Sequence, residues 1–123
     1  MLDHFTIKVT DIEKSKVFYK NLLATLNAEI KLDFGKTVSF GDIGFSGGDP
    51  GGYFWIAEGK PQHIHFAFNA KSKQEVDRFY LTALELGGTS NGEPGFRDYH
   101  ENYYATFIYD LDGYNIEAVY HGE

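Results

Sequence analysis

The chain has 123 residues, of which 42% are hydrophobic and 17% aromatic, a composition that suits one compact domain with a packed core and excludes a disordered chain. A formal charge of −7 with no Lys/Arg cluster argues against a nucleic-acid partner, and no apolar run is long enough to predict a membrane partner. Met1 leads straight into a strand pattern without the basic and apolar regions of a signal peptide, so a cytoplasmic location is expected, and the lack of cysteine leaves chemistry to His, carboxylates, Tyr, Arg and Lys.

The first predicted strand covers Phe5 to Val9, and Asp11 is placed to cap a helix that runs through Phe18-Tyr19. Strand-like runs follow at Glu29 to Phe34, Thr37 to Phe40 and Tyr53 to Ala57, with a hairpin turn at Gly35. The glycine-rich stretch Gly44 to Gly52 lacks the Lys and Ser/Thr of a phosphate loop and reads as a flexible loop, a candidate lid. A second strand covers Phe66 to Ala70, and Ser72 with Glu75 forms a capping box. Val76, Phe79, Tyr80, Ala83 and Leu84 then lay one apolar stripe along a helix that Gly87-Gly88 stops. Asn91 to Gly95 reads as a loop, and two final strands, Tyr103 to Tyr109 and Tyr114 to Tyr120, meet at an Asp112-Gly113 turn.

Sliding the sequence against itself by 61 positions superposes His4-Phe5 on His65-Phe66 and Phe18-Tyr19 on Phe79-Tyr80. Strand, cap and helix phase agree at the same interval, which predicts an internal duplication with a first module over about residues 1–58 and a second over about 62–123. Alternation along the strands puts Phe5, Ile7 and Val9, and likewise Phe66, Phe68 and Ala70, toward the helix. His4 and His65 then face the other way. In the last strand Ile116 and Ala118 suit the helix side, which leaves Glu117 on the face of the histidines. The same interval counted back from Glu117 reaches Ile56, with Phe54 expected beside it on that face and Trp55 expected beneath a helix.

Two histidines and one carboxylate make an N/O ligand set that leaves coordination positions open, suited to Fe(II), Mn(II), Ni(II) or Zn(II). Glu117 joins His4 and His65 in such a set only if the sheet curves. His63 shares the face of His65 but has no counterpart in the first module, nor do His100 and His121. Arg97, Tyr99, His100 and Tyr103 lie before the penultimate strand, where Arg97 is suited to a carboxylate or phosphate through paired hydrogen bonds. Arg97, Tyr103, Phe54 and Ile56 are therefore the candidate substrate contacts.

The stretch from Leu2-Asp3-His4 through Val9-Thr10-Asp11 to Phe18-Tyr19, with His65-Phe66-Ala67-Phe68, Gly87-Gly88 and Asp110 to Glu117, resembles the vicinal-oxygen-chelate superfamily of glyoxalases, bleomycin-resistance proteins and dioxygenases. The resemblance spans nearly the whole chain. It implies an α+β fold of two tandem βαβββ modules whose curved mixed sheets surround a central cleft. It further implies one divalent metal ion held by His4, His65 and Glu117, a small-molecule substrate and a homodimer. Leu111 stands where the family usually has Pro. Ile56 stands, by this count, where glyoxalase I enzymes carry a carboxylate, which argues against glyoxalase I chemistry. A metal-dependent lyase, isomerase or dioxygenase is expected, the alternative being a metal-free binding protein of the bleomycin-resistance kind.

Overall fold

A computed structural model describes residues 2–44 and 50–122. The chain divides into two compact units, Met1–Gln62 and His63–Glu123. The fold is α+β, and each unit consists of one helix and one open four-stranded mixed sheet.

The first unit contains β1 (Phe5–Val9), α1 (Ile12–Ala24), β2 (Ala28–Asp33), β3 (Thr37–Asp42) and β4 (Phe54–Glu58), with sheet order β1-β4-β3-β2. Asp11 caps α1 as expected, its carboxylate accepting from the Lys14 N–H at 3.1 Å. Gly35 supplies the positive φ of 86° in the β2–β3 hairpin, where its N–H donates to Asp33 at 2.9 Å. The core lies between α1 and the sheet. Tyr19 packs edge-on against Phe54 at 5.0 Å, and Phe18, Leu22, Leu23, Val38 and Phe40 are fully buried around them.

The second unit repeats the plan with β5 (His65–Asn69), α2 (Lys73–Glu85), β6 (Thr89–Phe96), β7 (Tyr104–Tyr109) and β8 (Asn115–Tyr120), in the order β5-β8-β7-β6. Ser72 accepts from the Glu75 N–H at 3.1 Å, while Glu75 reaches back to the Lys71 N–H at 2.8 Å, one residue before the donor of an ideal capping box. Gly87 at φ 97° and Gly88 close α2, their N–H groups donating to the carbonyls of Leu84 and Ala83. Val76, Phe79 and Ala83 are the buried stripe, whereas Leu84 at 38% exposure lies at its edge.

Asn91 to Gly95, expected as a loop, belongs to β6. This strand is at the sheet edge, where Pro94 does not interrupt a ladder on both sides, and register shifts after Ser90 and Gly92 absorb the glycines as bulges. The candidate lid Gly44 to Gly52 falls largely on residues 45–49, outside the described residues. No helix among the described residues is long and apolar enough to cross a membrane.

Candidate metal centre

In the second unit the parallel pairing of β5 with β8 sets His65 opposite Asn115 and Ala67 opposite Glu117, and β7 sets Phe107 on the other side of Glu117. With Phe68 packed against Phe79 of α2, the opposite face of the sheet carries His65, Glu117 and Phe107. His65 Nε2 lies 3.1 Å from Glu117 Oε1, and its Nδ1 lies 2.8 Å from the Asn115 carbonyl oxygen. Tyr103, from the loop between β6 and β7, donates its hydroxyl to Glu117 Oε2. The Glu117 side chain is only 4% exposed, so these partners replace the water that a buried carboxylate otherwise requires.

The hydrogen count at this pair is informative. A carbonyl oxygen can only accept, so His65 Nδ1 carries a hydrogen, and in a neutral ring Nε2 is then a lone pair. Burial, and after it the hydrogen bond to Glu117, pushes the Tyr103 phenol up to about 12, so it remains the donor to Oε2. His65 Nε2 and Glu117 Oε1 therefore face each other as two acceptors unless one cation lies between them. Either a proton or a metal ion meets that need. Two ligand atoms each about 2.1 Å from one metal lie ~3.0–3.4 Å apart, which brackets the separation seen here. The Nδ1 contact is also the kind of outer partner that fixes a ligating imidazole. His65 and Glu117 thus offer a divalent cation one nitrogen and one oxygen donor at a suitable separation.

His4, just before β1 in the first unit, has its Nδ1 2.6 Å from Asp3 Oδ1, so both repeat-related histidines have Nδ1 occupied by an oxygen. Among the described residues, no group of three or more His, Asp or Glu side chains is gathered as a metal ion requires. His63 lies instead beside the β7–β8 turn, where a Cβ on Gly113 would meet its Nε2 at 3.5 Å.

Arg97 lies over the same face of the second sheet. Its guanidinium is 5.5 Å from the Phe107 ring centre and donates to the Glu93 carbonyl at 2.8 Å. Gly92 makes this possible, since a Cβ there would meet Arg97 Nη2 at 3.1 Å and Phe107 at 3.3 Å. Phe107 escaped notice in the sequence because it has no chemistry of its own, and only the register opposite Glu117 gives it a place. Asn115 has the same strand parity as Glu117, but its carbonyl gives no signal in a sequence, since any residue type supplies one.

Two expected substrate contacts are corrected. Phe54 and Ile56 are both fully buried, and the Phe54 ring packs on Tyr19, so their parity of β4 belongs to the helix side. Trp55, expected beneath the helix, points the other way and stacks with Phe34 at 6.4 Å and 11°. The register explains the error. Thr6 pairs with Trp55 as Ala67 pairs with Glu117, so 61 residues separate the β1 and β5 partners but 62 separate the β4 and β8 partners. One extra residue in the second unit makes Trp55, not Ile56, the counterpart of Glu117.

The sequence description of the Glyoxalase/Bleomycin resistance protein/Dioxygenase superfamily matches residues 1–118. The chain belongs to this superfamily. A solved glyoxalase/bleomycin resistance protein from Albidiferax ferrireducens T118 is similar at 29% identity and a TM-score of 0.82, with 99% of each chain covered. The genomically encoded fosfomycin resistance protein FosX from Listeria monocytogenes is 25% identical with a TM-score of 0.68, over 99% of this chain and 93% of that one. A superfamily enzyme from Burkholderia phytofirmans PsJN, 13% identical with a TM-score of 0.72 over 98% of both chains, shares the fold. No curated protein matches the sequence.

Proposed function

We propose that this superfamily member is a metal-dependent enzyme acting on a small substrate with two neighbouring oxygens. His65 and Glu117 of the second unit would hold one divalent ion (Fe, Mn, Ni or Zn). The observation that carries this reading is the pair of facing acceptors, His65 Nε2 and Glu117 Oε1, 3.1 Å apart with His65 Nδ1 committed to a carbonyl. His4, the counterpart of His65 in the repeat, is a ligand candidate of the first unit, with Asp3 on its Nδ1. When bound, the ion would supply Lewis-acid polarisation of a substrate oxygen or a position for dioxygen.

The chain's own groups have distinct tasks. Asn115 and Asp3 fix the tautomers of the two histidines. Tyr103 keeps one oxygen of Glu117 occupied and directs the other toward His65. Arg97, backed by Phe107 and held at Glu93, would orient an anionic substrate group with its remaining donors. Phe107 would exclude water beside it. A homodimer in the cytoplasm is the assembly and location we expect of it.

A metal ion lying between the two facing acceptors leaves no room for a hydrogen there, so a proton shared by the pair would be released on metal uptake. Calorimetric titration of metal-free protein with Mn(II), Ni(II) or Zn(II) in buffers of different ionisation enthalpy should show release of roughly one proton per ion bound. Binding without proton release would contradict the shared-cation reading. Absence of binding by all of these ions and Fe(II) would overturn the proposal in favour of a metal-free small-molecule binding protein.

A further inference from the structure

Tyr103 reaches Glu117 from a loop, and three other rings pack edge-on against it there. Tyr99 lies 4.9 Å away at 86°, His100 5.0 Å at 80° and His121 5.2 Å at 82°. The two imidazoles are joined to each other. His100 Nε2 is 3.0 Å from His121 Nδ1, with ring centres 5.0 Å apart and planes within 20° of parallel, an edge-to-edge hydrogen bond. His121 follows β8 directly, so this bond ties the end of the Glu117 strand to the loop that delivers Tyr103. Arg97 closes the same loop by donating its N–H to the Tyr103 carbonyl at 2.8 Å.

The pair tolerates one extra proton but not two. His100 Nδ1 lies 2.8 Å from the Glu101 carbonyl oxygen, so it carries a hydrogen. Neutral His100 thus offers a lone pair at Nε2, and His121 Nδ1 supplies the hydrogen between the rings. A proton added at His121 Nε2 leaves that bond intact and makes it charge-assisted. The next, on His100 Nε2, would set N–H against N–H and bring two like charges together.

The geometry points to a positioning role: His100 and His121 hold the Tyr103 hydroxyl on Glu117, and the hold opens when the pair takes up its second proton. The contact stands apart from the proposed metal chemistry, and only its functional consequence rests on that reading. The ionisable groups around Tyr103 and the pair are Glu117 on β8 with His65 behind it, Arg97 and Tyr99 in the loop, and Glu101 beside His100. Tyr103 itself stays protonated below about pH 12, so its own proton is not the one that moves.

The test uses metal-free protein with 13C-labelled tyrosine rings. The Tyr103 Cζ resonance, identified by its loss in Tyr103→Phe, is followed by NMR from about pH 8 to about pH 5, the interval in which histidines change charge. In the wild type it should shift toward the exposed-tyrosine position on acidification. His121→Ala should show the displaced position already at the alkaline end, with the step gone. His121→Asn places an amide donor where Nδ1 was, so it should retain the alkaline-end signal and lose only the step. His65→Asn should keep the step, which separates the pair from the other titratable contact of Glu117. A flat wild-type profile, a step that survives in His121→Asn, or a step lost in His65→Asn would each overturn the proposal. Failure of the metal reading would appear only in the metal titrations and leave this profile unchanged.

Discussion

The two units share a helix, a sheet order and a parallel strand pair, yet at the same place in the repeat one carries Trp55 and the other Glu117. In the first unit that position is an indole stacked on Phe34. In the second it is a buried carboxylate with each oxygen engaged, one by His65 and one by Tyr103. The duplication thus keeps the framework while polar chemistry at this position is built on one copy. The caps and the parallel pairing follow from backbone requirements common to both copies. The site residues answer to no such requirement and are free to diverge.

The largest effect that would break this comparison is in the first unit. Phe54→Ala removes a fully buried ring packed on Tyr19 and should cost ~3–5 kcal/mol in denaturant unfolding. A loss below about 1 kcal/mol, with altered ligand binding, would return Phe54 to the ligand face and undo the register argument. In the second unit, Tyr103→Phe leaves Glu117 Oε2 without its donor and should cost about 1–2 kcal/mol near neutral pH. The Tyr103 phenol is raised in the folded protein from 10.0 to about 12, so the stability linked to its proton is complete below about pH 10 and lost as pH rises through about 12. Stability followed across that alkaline range should fall less steeply in Tyr103→Phe than in the wild type. The smallest effect is expected at Trp55→Leu, which forfeits one partly exposed aromatic stack worth about 0.5–1 kcal/mol. A cost equal to that of Phe54→Ala would mean that Trp55, not Phe54, lies in the core.

Much of the framework was legible because it rests on local rules. Asp11, Ser72, Gly35 and Gly87-Gly88 each meet a backbone need that their residue types announce. The strand face of His65 and Glu117 followed from alternation in the second unit. Alternation counted at the fixed interval of the repeat misplaces Phe54 and Ile56 because a single extra residue within the second unit reverses every side chain of a strand, and comparison at a fixed interval cannot detect it. The β6 strand is missed because Gly92, Pro94 and Gly95 look like loop punctuation, whereas an edge strand accommodates them in bulges. The His100–His121 pair had no counterpart in the first module and gave no signal. Its partners are 21 residues apart and meet only through the pairing of β7 with β8.

Under the proposed function, the second unit's carboxylate, and not the aromatic position related to it in the first, retains the metal ion. Elemental mass spectrometry on tag-free wild type, Glu117→Gln and Trp55→Leu, each reconstituted and then desalted, tests it most directly. Roughly one divalent ion per chain is expected in the wild type and in Trp55→Leu, falling by about tenfold or more in Glu117→Gln. Wild-type metal content retained in Glu117→Gln, or lost in a folded Trp55→Leu, would contradict it.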